Sequence, residues 1–94
     1  MDPHVAGLIS NCATRIWQAM DRNGRHLRIV DAGVYMVLLS LSAEGQGIDP
    51  GAAWIAQRMG AVSITKINNA RTALVETGLV VFFMAPDGAR FKIQ

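Results

Sequence analysis

The sequence predicts a mainly α protein with a small β-hairpin at its end: four helices in succession, then two strands around a tight turn. Three observations carry that expectation. Apolar residues recur at three- and four-residue steps as far as residue 75. Capping residues and glycines bracket each such stretch. Beyond Gly78 the pattern changes to β-branched and aromatic residues around Pro86-Asp87-Gly88, a turn triplet.

The first helix is expected over residues 3–22. Val5, Leu8, Ile9, Cys12, Ile16, Trp17 and Met20 form its apolar stripe, Pro3 fits its first turn, and Asn23-Gly24 stops it. Trp17 carries the stripe beyond what one small core needs. Val5, Ile9, Ile16, Trp17 and Met20 are therefore a candidate dimer seam. A polar connector follows, with Arg22, Arg25, His26 and Arg28 around a glycine.

Asp31 is the expected N-cap of the second helix, since a carboxylate there accepts the free N–H groups of the first turn. Val34, Val37, Leu38 and Leu41 give its stripe, widened by Tyr35 and Met36. It is nearly apolar all round, which predicts the most buried element of the fold. Residues 43–47 then read as a two-glycine loop.

Asp49 and Pro50 are the expected N-cap and first residue of the third helix, which carries Trp54, Ile55, Arg58 and Met59 and closes at Gly60. Ser63 caps the fourth. Its inner face is Ile64, Ile67, Ala70, Leu74 and Val75, and Gly78 ends it. Residues 79–84 and 90–93 are the hairpin strands, and Trp54 with Phe82 or Phe83 is expected in the core.

At 94 residues the chain has the length of one domain, and no break in composition divides it. It is 51% hydrophobic and 17% charged, enough apolar material for a core and too much for a disordered tail. Nine Lys and Arg against seven Asp and Glu give a charge of +2. That is not the strongly basic balance of a non-specific nucleic-acid coat, so any affinity for nucleic acid rests on a few well-placed cations. Cys12 stands alone, with no disulfide partner, and with His4 and His26 it cannot build a zinc site. No signal peptide is recognised, and the apolar run over residues 79–86 is far shorter than the roughly 20 residues of a membrane span. These features fit a cytoplasmic protein without metal or cofactor. No phosphate loop, carboxylate pair or nucleophile–histidine spacing supports an enzyme.

Two helices joined by a short turn and followed by a hairpin make the layout of a winged helix-turn-helix. The stretch VSITKINNARTALVETGLV, residues 62–80, resembles the recognition-helix segment of winged-helix bacterial regulators, including the GntR and MarR superfamilies. The matching positions are Ser63, Ile67, Ala70, Leu74 and Gly78-Leu79-Val80. The preceding WIAQRMG resembles the first helix of that motif, with Ile55, Ala56 and Met59 in its apolar slots. Two positions depart from the pattern. Ala61 lengthens the turn by one residue, and Arg71 stands where the family usually has Leu. A buried unpaired guanidinium is costly, so Arg71 is expected to reach solvent, DNA or a carboxylate such as Glu76.

The resemblance implies duplex DNA as the partner, read by the helix that starts at Ser63. Ser63, Thr65, Lys66, Asn68, Asn69 and Thr72 lie off the apolar stripe, with no acid before Glu76. Asn can pair with adenine and Lys can donate to guanine or phosphate, which makes these the candidate base readers. Arg58, Arg71, Arg90, Lys92, Arg25 and Arg28 are the candidate backbone contacts. Arg90 and Lys92 read equally as edge-strand cations that discourage aggregation, and Arg25 and Arg28 as part of a solvated loop. The function expected is a homodimeric, nucleoid-associated transcriptional regulator acting on an inverted repeat, controlled by its abundance or by a partner protein. A plasmid or phage origin- or centromere-binding protein uses the same fold. A winged helix that only docks other proteins is the rival from another class.

Overall fold

A computed structural model of the chain describes residues 24, 26–60 and 62–94. Among these residues, three helices and three strands run in the order α1 (Ile29–Leu41), β1 (Gln46–Ile48), α2 (Ala52–Arg58), α3 (Ile64–Glu76), β2 (Val80–Ala85) and β3 (Gly88–Ile93). The strands form one antiparallel sheet in the order β1-β3-β2. The architecture is mixed α/β, where the sequence reading expects a mainly α chain with four helices and a two-stranded hairpin. The helix expected over residues 3–22, its dimer seam (Val5, Ile9, Ile16, Trp17, Met20), Arg25 and Ala61 lie outside the described residues.

β1 replaces the expected two-glycine loop. Ala43 and Gln46 exchange backbone hydrogen bonds (2.7 and 3.1 Å) across a two-residue turn in which Glu44 and Gly45 both have positive φ, 55° and 79°. That is the backbone of a type I′ turn, whose twist suits antiparallel strands. Three residues with a central glycine have little strand propensity of their own. β3 supplies the pairing instead: Ile93 N–H donates to Gly45 O (2.7 Å) and Asp49 N–H to Ala89 O (3.0 Å).

α1 starts two residues ahead of the predicted cap, with Arg28 as its N-cap. Asp31 lies at the third helical position and reaches back to accept the Arg28 N–H (2.9 Å), the second half of a capping box. It also takes Nε and Nη2 of Arg28 at 3.2 and 3.1 Å, and is only 2% exposed. α1 is not buried all round, because it packs along one side only. Val34, Tyr35 and Leu38 are buried, whereas Ile29 is 93% and Met36 51% exposed.

α2, by contrast, begins later than expected. Gly51, at φ 86°, is its N-cap, and Pro50 precedes the helix. Asp49 instead accepts the Gly51 N–H (2.9 Å) in a local turn. α3 follows the sequence reading in its cap and its end, but Ile64 and Val75, expected on the inner face, are 51% and 44% exposed. The Ser63 hydroxyl accepts the Lys66 N–H at 3.2 Å, and Ile67, Ala70 and Leu74 are buried. Its end is a Schellman motif: Leu79 N–H donates to Leu74 O (3.1 Å), Gly78 N–H to Val75 O (3.0 Å), and Gly78 takes φ 77°.

β2 and β3 pair from Val80↔Ile93 to Ala85↔Gly88 around Pro86-Asp87. Phe82 and Gly47 both lie opposite Phe91, which is fully buried, so this set of alternating positions faces the helices. The core joins Val34, Tyr35 and Leu38 of α1, Ile55 and Ala56 of α2, the inner stripe of α3, and Leu79, Val80 and Phe91. Trp54, expected in the core, is 42% exposed. Phe82 packs against the core, and Phe83 turns to the other face.

Gly33 lies inside α1, and a Cβ there would meet only the flexible end of Met59, its Cε at 2.6 Å. A methionine tip moves aside readily. Gly33→Ala is therefore expected to raise stability by about 0.5–1 kcal/mol through helix propensity, seen as a higher urea midpoint. A lowered midpoint would show that Met59 is held rigidly.

Candidate nucleic-acid interface

α3 buries Ile67, Ala70 and Leu74 and turns the rest of its circumference outward. Ser63, Thr65, Lys66, Asn68, Asn69 and Thr72 are all exposed. Thr65, Asn69 and Thr72, spaced four and three apart, form the line that points most directly away from the core. Lys66 flanks it on one side. Asn68 flanks it on the other, toward β2, where Asn68, Arg71, Thr72, Val75, Glu76 and Phe82 line an open groove of about 500 Å³. Two of these polar groups are already engaged. The Ser63 hydroxyl caps the helix, and Thr72 Oγ1 donates to Asn68 O at 3.1 Å.

The candidate backbone cations do not form one surface. Arg71 Nη2 donates to Asp49 Oδ2, and its guanidinium carbon lies 4.4 Å from the centre of the Phe82 ring. The two side chains are 19% and 9% exposed. Arg71 thus ties α3 to the turn before α2 and to β2. Glu76, five residues on, stands about 140° round the helix from Arg71. The partner that sequence reasoning missed, Asp49, is 22 residues away, and no local spacing announces it. The one available signal was the question of where an arginine close to an apolar stripe finds an acid.

Arg28 is bonded to Asp31 at the head of α1. Arg90 pairs with Asp87 at the hairpin turn (2.9 Å). Lys92 stands away from that turn, opposite Val81 and Gln46 and four residues from Gly88. Because Phe91 points to the helices, Arg90 and Lys92 share the sheet face turned away from them. Arg58 is exposed in the last turn of α2. Lys66 and Arg58 are thus the cations of the helix pair that form no ion pair among the described residues.

No helix among the described residues is long and apolar enough to cross a membrane. Compared with known proteins, the chain matches no family model, no curated protein and no solved structure.

Proposed function

We propose that the chain is a winged helix-turn-helix protein that binds duplex DNA, with the outer face of α3 laid in the major groove, and that it acts as a transcriptional regulator. The observation that carries this is the composition of that face. Thr65, Lys66, Asn68, Asn69 and Thr72 stand exposed on a well-capped helix, with no acid before Glu76. A purely solvated helix usually carries alternating Glu and Lys. Short amides and hydroxyls with one cation suit base edges and phosphate instead. α2, α3 and the β2–β3 hairpin supply the two motif helices and the wing of this reading.

The division of labour differs from the one the sequence suggests. Asn69 reads a base, Lys66 and Arg58 hold phosphate, and Arg28, Arg71 and Lys92 take no part. A mobility-shift titration on sequences selected from a random duplex pool tests this. Asn69→Ala should relax preference at one base position by about 1–3 kcal/mol. Lys66→Ala should weaken all sequences alike and reduce the salt slope by about 1, from a value near −2 per bound copy. Lys92→Ala should leave both unchanged. No shift at low salt, or a Lys92 variant weaker than the Lys66 variant, would remove this reading.

One observation favours a protein-docking module instead: Arg28, Arg71 and Arg90 are neutralised within the fold. In that case the pool selects nothing and the Lys66 variant is silent.

A further inference from the structure

Among the described residues, the sheet order β1-β3-β2 leaves β2 paired on one side only. The hydrogen bonds fix which residues face the open side. Gln94 N–H donates to Leu79 O (3.0 Å), so Leu79, Val81, Phe83 and Ala85 exchange bonds with β3. Val80, Phe82 and Met84 turn their N–H and C=O groups the other way. Val80 is buried, so the open stretch runs from Phe82 to Met84, where Met84 is 77% and Phe83 38% exposed. Edge strands of monomers are commonly protected by charge, proline or a bulge. β2 reads VVFFMA, with no charge and no proline, and its register with β3 is unbroken.

We propose that this edge pairs with β2 of a second copy, antiparallel about a two-fold axis at Phe83, to make one continuous six-stranded sheet. The strand is its own complement in that register. Phe82 exchanges both backbone bonds with Met84 of the second copy, and Met84 with Phe82 of the second copy. The two Phe83 rings form a close, non-hydrogen-bonded pair on the outer face. On the helix face, the exposed thioether of Met84 meets the Phe82 ring of the other copy beside the groove. Pro86, which has no N–H to offer, falls opposite Val80, outside the open stretch from Phe82 to Met84. No charge opposes a like charge, as an isologous contact of an uncharged strand requires. The pairing uses none of Thr65, Lys66 or Asn69, so it stands or falls apart from the DNA reading.

The test uses the full chain. Sedimentation over a wide concentration range should show a reversible dimer, and amide exchange at Phe82 and Met84 should slow as concentration rises. Phe83→Lys should weaken the dimer at least about tenfold, since it sets like charges directly opposite. In a Cys12→Ser background, Phe83→Cys should form a covalent dimer under mild oxidation. Met84→Cys should not, because the two Met84 Cα atoms lie beyond disulfide reach in this register. Four results overturn the proposal: a monomer throughout; Phe82 and Met84 amides protected independently of concentration, which would mean the chain covers its own edge; a dimer indifferent to Phe83→Lys; or equal cross-linking at both positions.

Discussion

Asp49→Ala is expected to lower the stability of the fold by roughly 3 kcal/mol, because it leaves the Arg71 guanidinium without its acid in a site where that group is only 19% exposed. The loss has two parts. The carboxylate also accepts the Gly51 N–H at the head of α2, a bond of about 1 kcal/mol. Asp49→Asn keeps an oxygen for Gly51 and removes the charge, so it should recover about that much. Arg71→Leu tests the other partner. Leucine still covers the Phe82 ring, though it gives up the cation–π contact, worth about 0.5–2 kcal/mol. The double variant Asp49→Asn, Arg71→Leu should then come within about 1 kcal/mol of the parent, since a buried pair exchanged for apolar packing is often neutral. Urea unfolding of all four proteins gives the coupling, expected near 2 kcal/mol. Strict additivity would show that Arg71 and Asp49 touch without depending on one another. The double variant should also keep any DNA affinity of the parent. A large loss would return Arg71 to the phosphate-contact role that its sequence position suggests.

That pair shows where the sequence stops being legible. The cap, the buried triplet and the end of α3 can be read because what defines them is local, whereas Ile64 and Val75, expected inside, are exposed. Ser63 caps three residues ahead, Ile67, Ala70 and Leu74 repeat at the helical period, and Gly78 closes the last turn. The same period separates the exposed Thr65, Asn69 and Thr72 from the core. The cap assignments at Asp31 and Asp49 fail for a shared reason. An acid before an apolar run is a local signal for a helix head but not for its first residue: Asp31 accepts the Arg28 N–H from the third helical position, and Asp49 accepts the Gly51 N–H from two residues ahead of the cap. Lys92 is an intermediate case. Alternation with Phe91 shows that the two point to opposite faces, but only packing shows that the Phe91 face is the one against the helices. β1 was beyond reach, because its pairing comes from β3, more than forty residues later in the chain.

The dependence of β1 on β3 makes Gly47→Ala the second large effect. Gly47 lies opposite Phe91 in the ladder, and a Cβ there would stand 2.7 and 2.8 Å from two ring carbons and 3.0 Å from the Leu41 carbonyl oxygen. Its φ is not positive, so the demand is purely for space. Neither neighbour yields easily. The ring belongs to the central strand and is fully buried, and the carbonyl is backbone at the end of α1. Overpacking of this kind costs about 1–3 kcal/mol, and the upper end is expected here. The reduced freedom of the unfolded chain returns less than about 1 kcal/mol. Phe91→Leu should cost about 1–2 kcal/mol alone and relieve much of the clash, so the double variant should be more stable than the sum of the two predicts. If the strain is instead relieved by β1 leaving the sheet, hydrogen exchange will show it first at Asp49 N–H, which is bonded to Ala89 O in the same ladder. Asp49 would then lose its position against Arg71, and Gly47→Ala and Arg71→Leu should prove strongly non-additive. Independent effects would mean that Asp49 is held by its own turn with Gly51 and not by the strand that leads into it.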